Sequence, residues 1–352
     1  MAQQPTIIWD RGSAYDFFVS MAVLYQPDVY GLRASWAAGV RSRMPIPMRD
    51  VLDHAQKFMG VPLSFIYELP EPKDAISALE TLRALPPEDR LQALSFGKTD
   101  DPQVKEYQDL LLSLEGKQRL SANLEAQIKE GYRPSTMATK AVIRALFEAW
   151  VDRATFGEAL LKAYDSFFEN FYQEEELRII PAQEKVLENA QLLATHKDVL
   201  TVLEELSSGA RLNLISDVSR LVLAPSFWAS PFVFFTQLDE STQIILFGDR
   251  PKGTALVPGD LVPEELLNSL KALADPTRLR ILRYLVEGPS TIRELAKILR
   301  LRPPTVIHHL QSLRLAGLVV VTVSPETERR YSVRMNGIKT TFQRLQEFLS
   351  GD

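Results

Sequence analysis

Helix start and stop signals alternate at close intervals between residues 275 and 317, so this part of the chain can form only short helices. Asp275-Pro276 suits a helix start, because the carboxylate can accept from free backbone N–H groups and proline fits the first turn. Gly288-Pro289 ends that helix. Arg302-Pro303-Pro304 interrupts the following helix, since proline costs a helix interior about 3 kcal/mol. The segment therefore predicts three short helices in series.

The second and third of these helices have the spacing of a paired unit. Thr291 and Glu294 are placed as a capping box that opens the second helix. In the third helix Val306, Leu310 and Leu313 follow the i, i+4, i+7 pattern of a face turned to a core. Two short helices joined by a tight turn, the second with an apolar stripe, form a helix-turn-helix pattern.

A hairpin and a last helix follow. The segment "LVVVTVSPETERRYSVRM" alternates in its second half and turns at residues 324–327, which predicts a β-hairpin with Arg329 and Arg330 near its tip. The final helix would carry an apolar stripe made of Ile338, Phe342, Leu345 and Leu349. We expect that stripe to be buried, either on a partner subunit or on the N-terminal part of the chain.

Taken in order, "ALADPTRLRILRYL", "TIRELAKILRLRPPTVIHHLQSLRLAGLV" and "ERRYSV" resemble the winged helix-turn-helix of the ArsR family of bacterial transcriptional regulators. The resemblance covers about residues 265 to 349, with every element in order. The first 260 residues resemble, more loosely, an uncharacterised helical region with a "LVLAPSFW…PFVFF" β segment that precedes such domains in some larger ArsR-like proteins.

The resemblance implies a homodimer that reads an inverted repeat in double-stranded DNA, with the third helix in the major groove and the hairpin wing near phosphates. The side chains that it assigns to DNA are Arg300, Arg302, Thr305, His308, Gln311, Ser312, Arg314, Arg329 and Arg330. The chain departs from the family at Pro303-Pro304 and Ile307, where polar residues usually stand. Metal sensors of the family use paired cysteines, and this chain has no cysteine.

The adjacent histidines, His308 and His309, raise the alternative of a metal site. Neighbouring residues on a helix point about 100° apart, so one ion cannot easily bind both. We favour His308 facing DNA and His309 packing toward the core. The sequence predicts neither a metal nor a cofactor.

The charge of the chain is divided unevenly. From residue 261 onward there are 14 Lys and Arg against 9 Asp and Glu, a net charge of +5, whereas the preceding 260 residues carry −10. A basic terminal segment on an acidic remainder is typical of a nucleic-acid-binding unit attached to another domain. No apolar run is long enough for a membrane span, and the N-terminus lacks the pattern of a secretory signal, so we expect a cytoplasmic protein.

The predicted fold class is α+β, mostly α. The Pro- and Gly-rich segment at residues 248–266 separates two units. Residues 1–250, here called the body, are predicted to be mostly helical, with a small antiparallel β meander near residues 219–247 that the strand near Ile7 joins. Residues 251–263 form the predicted linker, and residues 264–352, here called the module, form the winged helix-turn-helix.

The body is predicted to be a regulatory or assembly domain. A ligand or partner that binds to it would control the DNA-binding module. Its aromatic side chains could line a small-molecule pocket, but at helical spacing they favour a core. No Gly-rich phosphate loop, nucleophile motif or His-Glu-x-x-His motif is present, so we expect no enzyme activity. The alternative function is a protein-interaction or assembly protein whose winged helix docks partners rather than DNA.

Overall fold

The computed structural model describes residues 5–97, 101–132, 138–207, 209–212, 218–248, 250, 256–257, 262–323 and 328–350. The helices of the body are α1 (Ser13–Tyr25), α2 (Pro27–Tyr30), α3 (Ala34–Arg41), α4 (Ile46–Ala55), α5 (Leu63–Tyr67), α6 (Ala75–Ala84), α7 (Pro87–Ser95), α8 (Pro102–Leu112), α9 (Ala122–Gly131), α10 (Lys140–Trp150), α11 (Arg153–Phe167), α12 (Gln173–Ala194) and α13 (Val199–Leu206). A π-helical segment, Phe168–Tyr172, joins α11 to α12.

The strands of the body are β1 (Thr6–Trp9), β2 (Ala210–Leu212), β3 (Arg220–Ser226), β4 (Val233–Asp239) and β5 (Thr242–Gly248). The module consists of α14 (Glu264–Leu273), α15 (Pro276–Glu287), β6 (Ser290–Thr291), α16 (Ile292–Leu299), α17 (Pro303–Leu315), β7 (Val319–Val323), β8 (Arg330–Val333) and α18 (Met335–Ser350). The predicted fold class, α+β and mostly α, is confirmed. No helix within the described ranges is both long and apolar enough to cross a membrane.

The first sheet has the strand order β1-β3-β5-β4, and this corrects the predicted antiparallel meander. The strands lie where they were predicted, but β3 runs parallel to β1 and β5, and only β4 and β5 are antiparallel. All residues of β5 are buried, which is typical of a central strand with both faces covered. In β4, half-buried and exposed positions alternate over most of the strand, so it takes the edge.

Aromatic side chains fill the core of the body, as the sequence predicted. The ring of Phe17 lies 6.0 Å from that of Tyr164 and 5.7 Å from that of Phe167. Trp228 is fully buried, and its ring stacks on that of Trp36 at 6.2 Å. Such ring pairs contribute about 0.5–1.5 kcal/mol each beyond the burial of their area.

A buried carboxylate joins α1 to the end of β3. Asp16 has no exposed surface and accepts hydrogen bonds from the backbone N–H groups of Phe227 (2.9 Å) and Trp228 (2.8 Å). The side chains of Gln183 and Ser226 also donate to it. Burial raises the pKa of Asp16 to about 6, against the opposing effect of these donors. The four donors offset the free-energy cost of taking a carboxylate out of water.

The module has its own apolar core, and one of its strands also contacts the body. Strand β2 of the body pairs in parallel with β7, which gives the second sheet the order β2-β7-β8-β6. Val321 and Val323 of β7 pack against an apolar cluster of the body. The first helix of the module begins at Glu264, where the sequence placed the domain limit, and most of the linker lies outside the described residues. The domain limits themselves stay a prediction.

Candidate nucleic-acid interface

Local capping fixes the start of α15 and α16, the two helices that precede α17. The side chain of Asp275 accepts from the backbone N–H of Arg278 at 2.9 Å and so begins α15. At the start of α16, the carboxylate of Glu294 accepts from the backbone N–H of Thr291 at 2.7 Å. The Thr291 hydroxyl in turn accepts from the N–H of Glu294 at 3.2 Å. Both predicted caps are therefore present.

The turn between α16 and α17 holds the predicted prolines in the first turn of α17. Arg300 closes α16 in the left-handed conformation with φ of 54°, and Pro303 then opens α17. The predicted core side chains of α17, namely Val306, Leu310 and Leu313, are at most 1% exposed. This stripe fixes which face of α17 turns away from the core of the module.

The first half of α17 presents its predicted DNA contacts to solvent. Arg302, Thr305 and His308 are exposed, and so is Arg300 in the turn before them. Ile307 lies among them with 47% of its surface exposed. Guanidinium groups suit phosphate oxygens and guanine edges, and hydroxyl and imidazole groups add hydrogen-bonding capacity. The structure thus places four exposed candidate side chains at one end of the helix.

The two histidines have different surroundings. The side chain of His309 is 14% exposed, and its Nδ1 lies 3.9 Å from Oδ1 of Asp275. Burial lowers the pKa of His309, and this effect outweighs the nearby carboxylate. His308 is exposed. Across the described part of the chain no cluster of three or more His, Cys, Asp or Glu side chains could hold a metal ion.

The second half of α17 is docked on the body, and this corrects the predicted exposure of Arg314. The Arg314 guanidinium is buried and donates to the carbonyl oxygens of Ser207 (2.7 Å) and Pro231 (3.1 Å). Burial lowers its pKa to about 10. The side-chain amide of Gln311 donates to the carbonyl of Val29 at 3.2 Å.

Ser312 belongs to the same half of α17, and its side chain bonds within the helix. Its hydroxyl donates to the carbonyl oxygen of His308 at 3.1 Å. Among the three candidates of this half, Gln311 and Arg314 therefore bond to the body, and Ser312 bonds to its own helix. A DNA contact by any of them stays a prediction.

The wing presents two further candidate arginines. Arg329 and Arg330 are both exposed, and Arg330 donates to the carbonyl of Pro289 at 3.0 Å. Its guanidinium also lies 4.0 Å from the half-exposed carboxylate of Glu294. The predicted hairpin is present as β7 and β8, and its tip at residues 324–327 lies outside the described residues.

Sequence reasoning missed the docking of the module, although one signal pointed to it. Strand β7 is almost entirely valine and does not alternate, which is typical of a strand covered on both faces. Strand β2, which pairs with the edge of β7, has only three residues, and a segment of that length carries no usable periodicity. Its partner stands more than 100 residues later in the chain.

Comparison with known proteins agrees with this geometry. A sequence model of the family described as "Bacterial regulatory protein, arsR family" matches residues 275–321, which run from the cap of α15 into β7. A curated relative is the HTH-type transcriptional regulator NmtR of Mycobacterium tuberculosis, 41% identical over 56 residues. That match covers 16% of this chain and 47% of the relative, so the chain spans about half of the relative's length. No solved structure matches the chain.

Proposed function

We propose that this chain, whose C-terminal module carries an ArsR-type helix-turn-helix, is a DNA-binding transcriptional regulator. The observation that carries the proposal is the exposed N-terminal end of α17, where Arg302, Thr305 and His308 stand close to Arg300 and all four are exposed. In helix-turn-helix proteins the N-terminal residues of the recognition helix reach base edges. The family match at residues 275–321 covers this helix.

Electrostatics support the same proposal. The segment from residue 261 carries +5, and its arginines at positions 300, 302, 329 and 330 are exposed. DNA binding by such groups releases counterions, so the logarithm of the binding constant falls by about 0.9 per phosphate contact for each unit of log salt concentration. The acidic body favours approach to DNA through the module rather than through its own surface.

An apolar surface that stays exposed on the module supports the proposal that the chain forms a dimer. On α18, Phe342 and Leu349 are 53% and 73% exposed, and on α15, Val286 is 62% exposed. The described residues of the body leave these side chains exposed, and we assign their cover to a second copy of the chain. A two-fold dimer would present two recognition helices to an inverted repeat.

The dimer can be tested with a matched pair of variants. Phe342→Ser together with Leu349→Ser should convert the dimer to a monomer in analytical ultracentrifugation. Leu177→Ser removes an equally exposed apolar side chain, 74% exposed on α12 of the body, and should leave the dimer intact. A double variant that sediments like the parent protein would contradict this interface.

The DNA proposal is tested by fluorescence anisotropy with a duplex from the region upstream of the protein's own gene, at several salt concentrations. Changing both Arg329 and Arg330 to Ala should lower the salt slope by about 2, since each arginine lost removes about one phosphate contact. Arg144→Ala, a 78% exposed arginine of the body, is the control with the same kind of charge loss. Absence of binding at low salt would refute the proposal.

A second candidate function is an interaction protein whose winged helix docks partners rather than DNA. The specific observation in its favour is that β7 and the second half of α17 already contact protein, namely β2 and α2. A failed DNA titration together with an intact dimer would support this candidate. Neither proposal assigns the chain an enzymatic activity.

Control of the module by the body belongs to the proposal as well. The body contacts α17 and β7 directly, so any change in the docking of the two units alters how α17 is presented to DNA. A ligand or partner of the body can produce such a change only if it binds one arrangement better than the other.

A further inference from the structure

A cavity of about 370 Å³ lies at the junction between body and module. Its walls come from both units: Tyr30 and Asn189 stand on the body, and Asn268 and Thr340 stand on the module. A volume of this size is in the range of small-molecule sites. Because neither unit encloses it alone, the cavity exists only while the module is docked.

The charged side chains of the wall include more cations than anions. Arg250, Arg334 and Arg344 line the cavity together with Glu264 and Glu265. Nη1 of Arg344 lies 2.6 Å from Glu265, and Nη1 of Arg250 lies 3.9 Å from Glu264. Arg334 is the third cation, and each of the two carboxylates already has a closer arginine.

Arg334 is held in the cavity wall by close packing. A Cβ atom at Gly209 of the body would lie 3.2 Å from Cδ of Arg334, and one at Gly317 would lie 3.5 Å from Nη1. Within the described ranges the Arg334 guanidinium donates no hydrogen bond and has no carboxylate within 4 Å. Burial lowers its pKa, and the more distant carboxylates of Glu204 and Glu205 only partly oppose this effect. A half-buried guanidinium in this state is stabilised by an anion that accepts its hydrogen bonds.

We propose that this cavity binds a small organic anion, whose carboxylate or phosphate group accepts hydrogen bonds from Arg334. Arg344 is half-exposed and adds a second guanidinium to the wall, where its ion pair with Glu265 holds it in place. The amides of Asn189 and Asn268 and the hydroxyl of Thr340 supply further donors in the same wall. Phosphate and carboxylate groups share this recognition chemistry, and direct titration separates them.

The anion would stabilise the docked arrangement, because it contacts residues from both units. In that arrangement Gln311 bonds to Val29, and Arg314 bonds to the carbonyls of Ser207 and Pro231. The second half of α17 is then held on the body and is withdrawn from DNA. This regulatory step rests on the proposed DNA-binding function, whereas binding of the anion does not.

Binding is tested on the full chain by isothermal titration calorimetry and thermal unfolding at constant ionic strength. Inorganic phosphate and succinate are the two probes, and succinamide is the uncharged control. We expect saturable binding and a raised unfolding temperature with at least one anion, and neither effect with succinamide. The anion with the larger effect identifies the group that the cavity accepts.

Variants assign the effect to the cavity. Arg334→Gln should weaken anion binding by about tenfold or more, since a charged hydrogen bond is lost. Arg344→Gln should weaken it by a smaller factor, and this half-exposed position keeps the test valid if Arg334→Gln does not fold. Arg293→Gln, an 84% exposed arginine of α16 outside the cavity wall, is the control and should bind as the parent does.

Each outcome has one meaning. Absence of saturable binding by both anions at about 10 mM, or equal binding by parent and Arg344→Gln, overturns the proposed site. If the site binds an anion that leaves the DNA affinity of the parent unchanged, the regulatory step is overturned and the site stands. A chain that binds the anion but no DNA refutes the proposed function and leaves the site supported.

Discussion

The two halves of α17 have the same predicted role and different surroundings. Arg302, Thr305 and His308 of the first half face solvent, as a groove-reading surface requires. Gln311 and Arg314 of the second half bond to carbonyl oxygens of the body. Apolar spacing identified correctly which face of α17 packs on the module's own core. It carries no information about which other part of the chain covers the opposite face.

The strongest test of this contrast is Arg314→Ala. It leaves the carbonyls of Ser207 and Pro231 without their buried donor, so we expect a loss of about 2–4 kcal/mol in the free energy of unfolding. Urea denaturation measures this. Arg329→Ala, an exposed arginine of the wing, is the comparison and should change stability by less than about 0.5 kcal/mol. Equal effects of the two substitutions would remove the distinction between docked and exposed arginines.

Arg302→Ala tests the open half of the helix. The side chain is exposed and caps no backbone N–H, so stability should stay within about 0.5 kcal/mol of the parent. DNA affinity should fall by about 1–3 kcal/mol if this guanidinium reads a base, and more weakly if it contacts only phosphate. The measurement is anisotropy on the upstream duplex and on a scrambled duplex of equal length. An unchanged affinity on both duplexes would exclude Arg302 from the interface.

Gln311→Ala tests the hydrogen bond by which the second half of α17 is docked on α2. Loss of its hydrogen bond to the carbonyl of Val29 should lower the free energy of unfolding by about 0.5–1.5 kcal/mol. The DNA affinity should fall by less than it does in Arg302→Ala, because the docked side chain is already engaged. A larger fall in affinity than in Arg302→Ala would show that Gln311 leaves the body to contact DNA.

The paired histidines give the smallest expected effect, which depends on pH. Burial lowers the folded-state pKa of His309, so the unfolded chain takes up a proton more readily. The stability that neutral His309 contributes is present above its ordinary pKa of 6.5 and is lost as the pH falls through the depressed folded-state value. Denaturant titrations at about pH 8 and pH 5 should show a larger loss in the parent than in His309→Asn.

The matched control for this pH effect is His308→Asn, which alters an exposed neighbour and should lose stability on acidification as the parent does. Asp16, whose pKa is raised to about 6, has the opposite sign, because its contribution is present below its ordinary pKa and declines as the pH rises through 6. That term is common to all three proteins and cancels in the comparison.

The features that the sequence predicted well depend on neighbours within one or two helical turns. The cap at Asp275, the capping box of Thr291 and Glu294, and the prolines that open α17 all act through adjacent backbone groups. Such signals can be read without knowledge of the tertiary fold. These signals predicted where α17 begins, whereas the four exposed candidate side chains at that end were implied by the resemblance to the ArsR family.

The features that sequence reasoning missed depend on distant partners. On α15 the apolar residues Leu279 and Val286 are 48% and 62% exposed, whereas Ile281 is fully buried. Apolar residues occur on more than one face of α15, and packing against α17 and β8 selects the buried face. The position of β5 between β3 and β4 was missed for a similar reason. The three strands look alike in the sequence, so their order in the sheet cannot be read from it.

Because of the three-residue strand β2, the module is difficult to produce as a separate fragment or to fuse to another protein. Its parallel pairing with residues 321–323 occupies backbone groups of β7 that would otherwise form an open sheet edge. A fragment cut at Glu264 would expose that edge together with the valines that pack on the body. Open edges of this kind pair with other chains and promote aggregation. The sheet of the module is therefore completed by a strand from the body, and a fusion or truncation that uses the module would have to include residues 210–212.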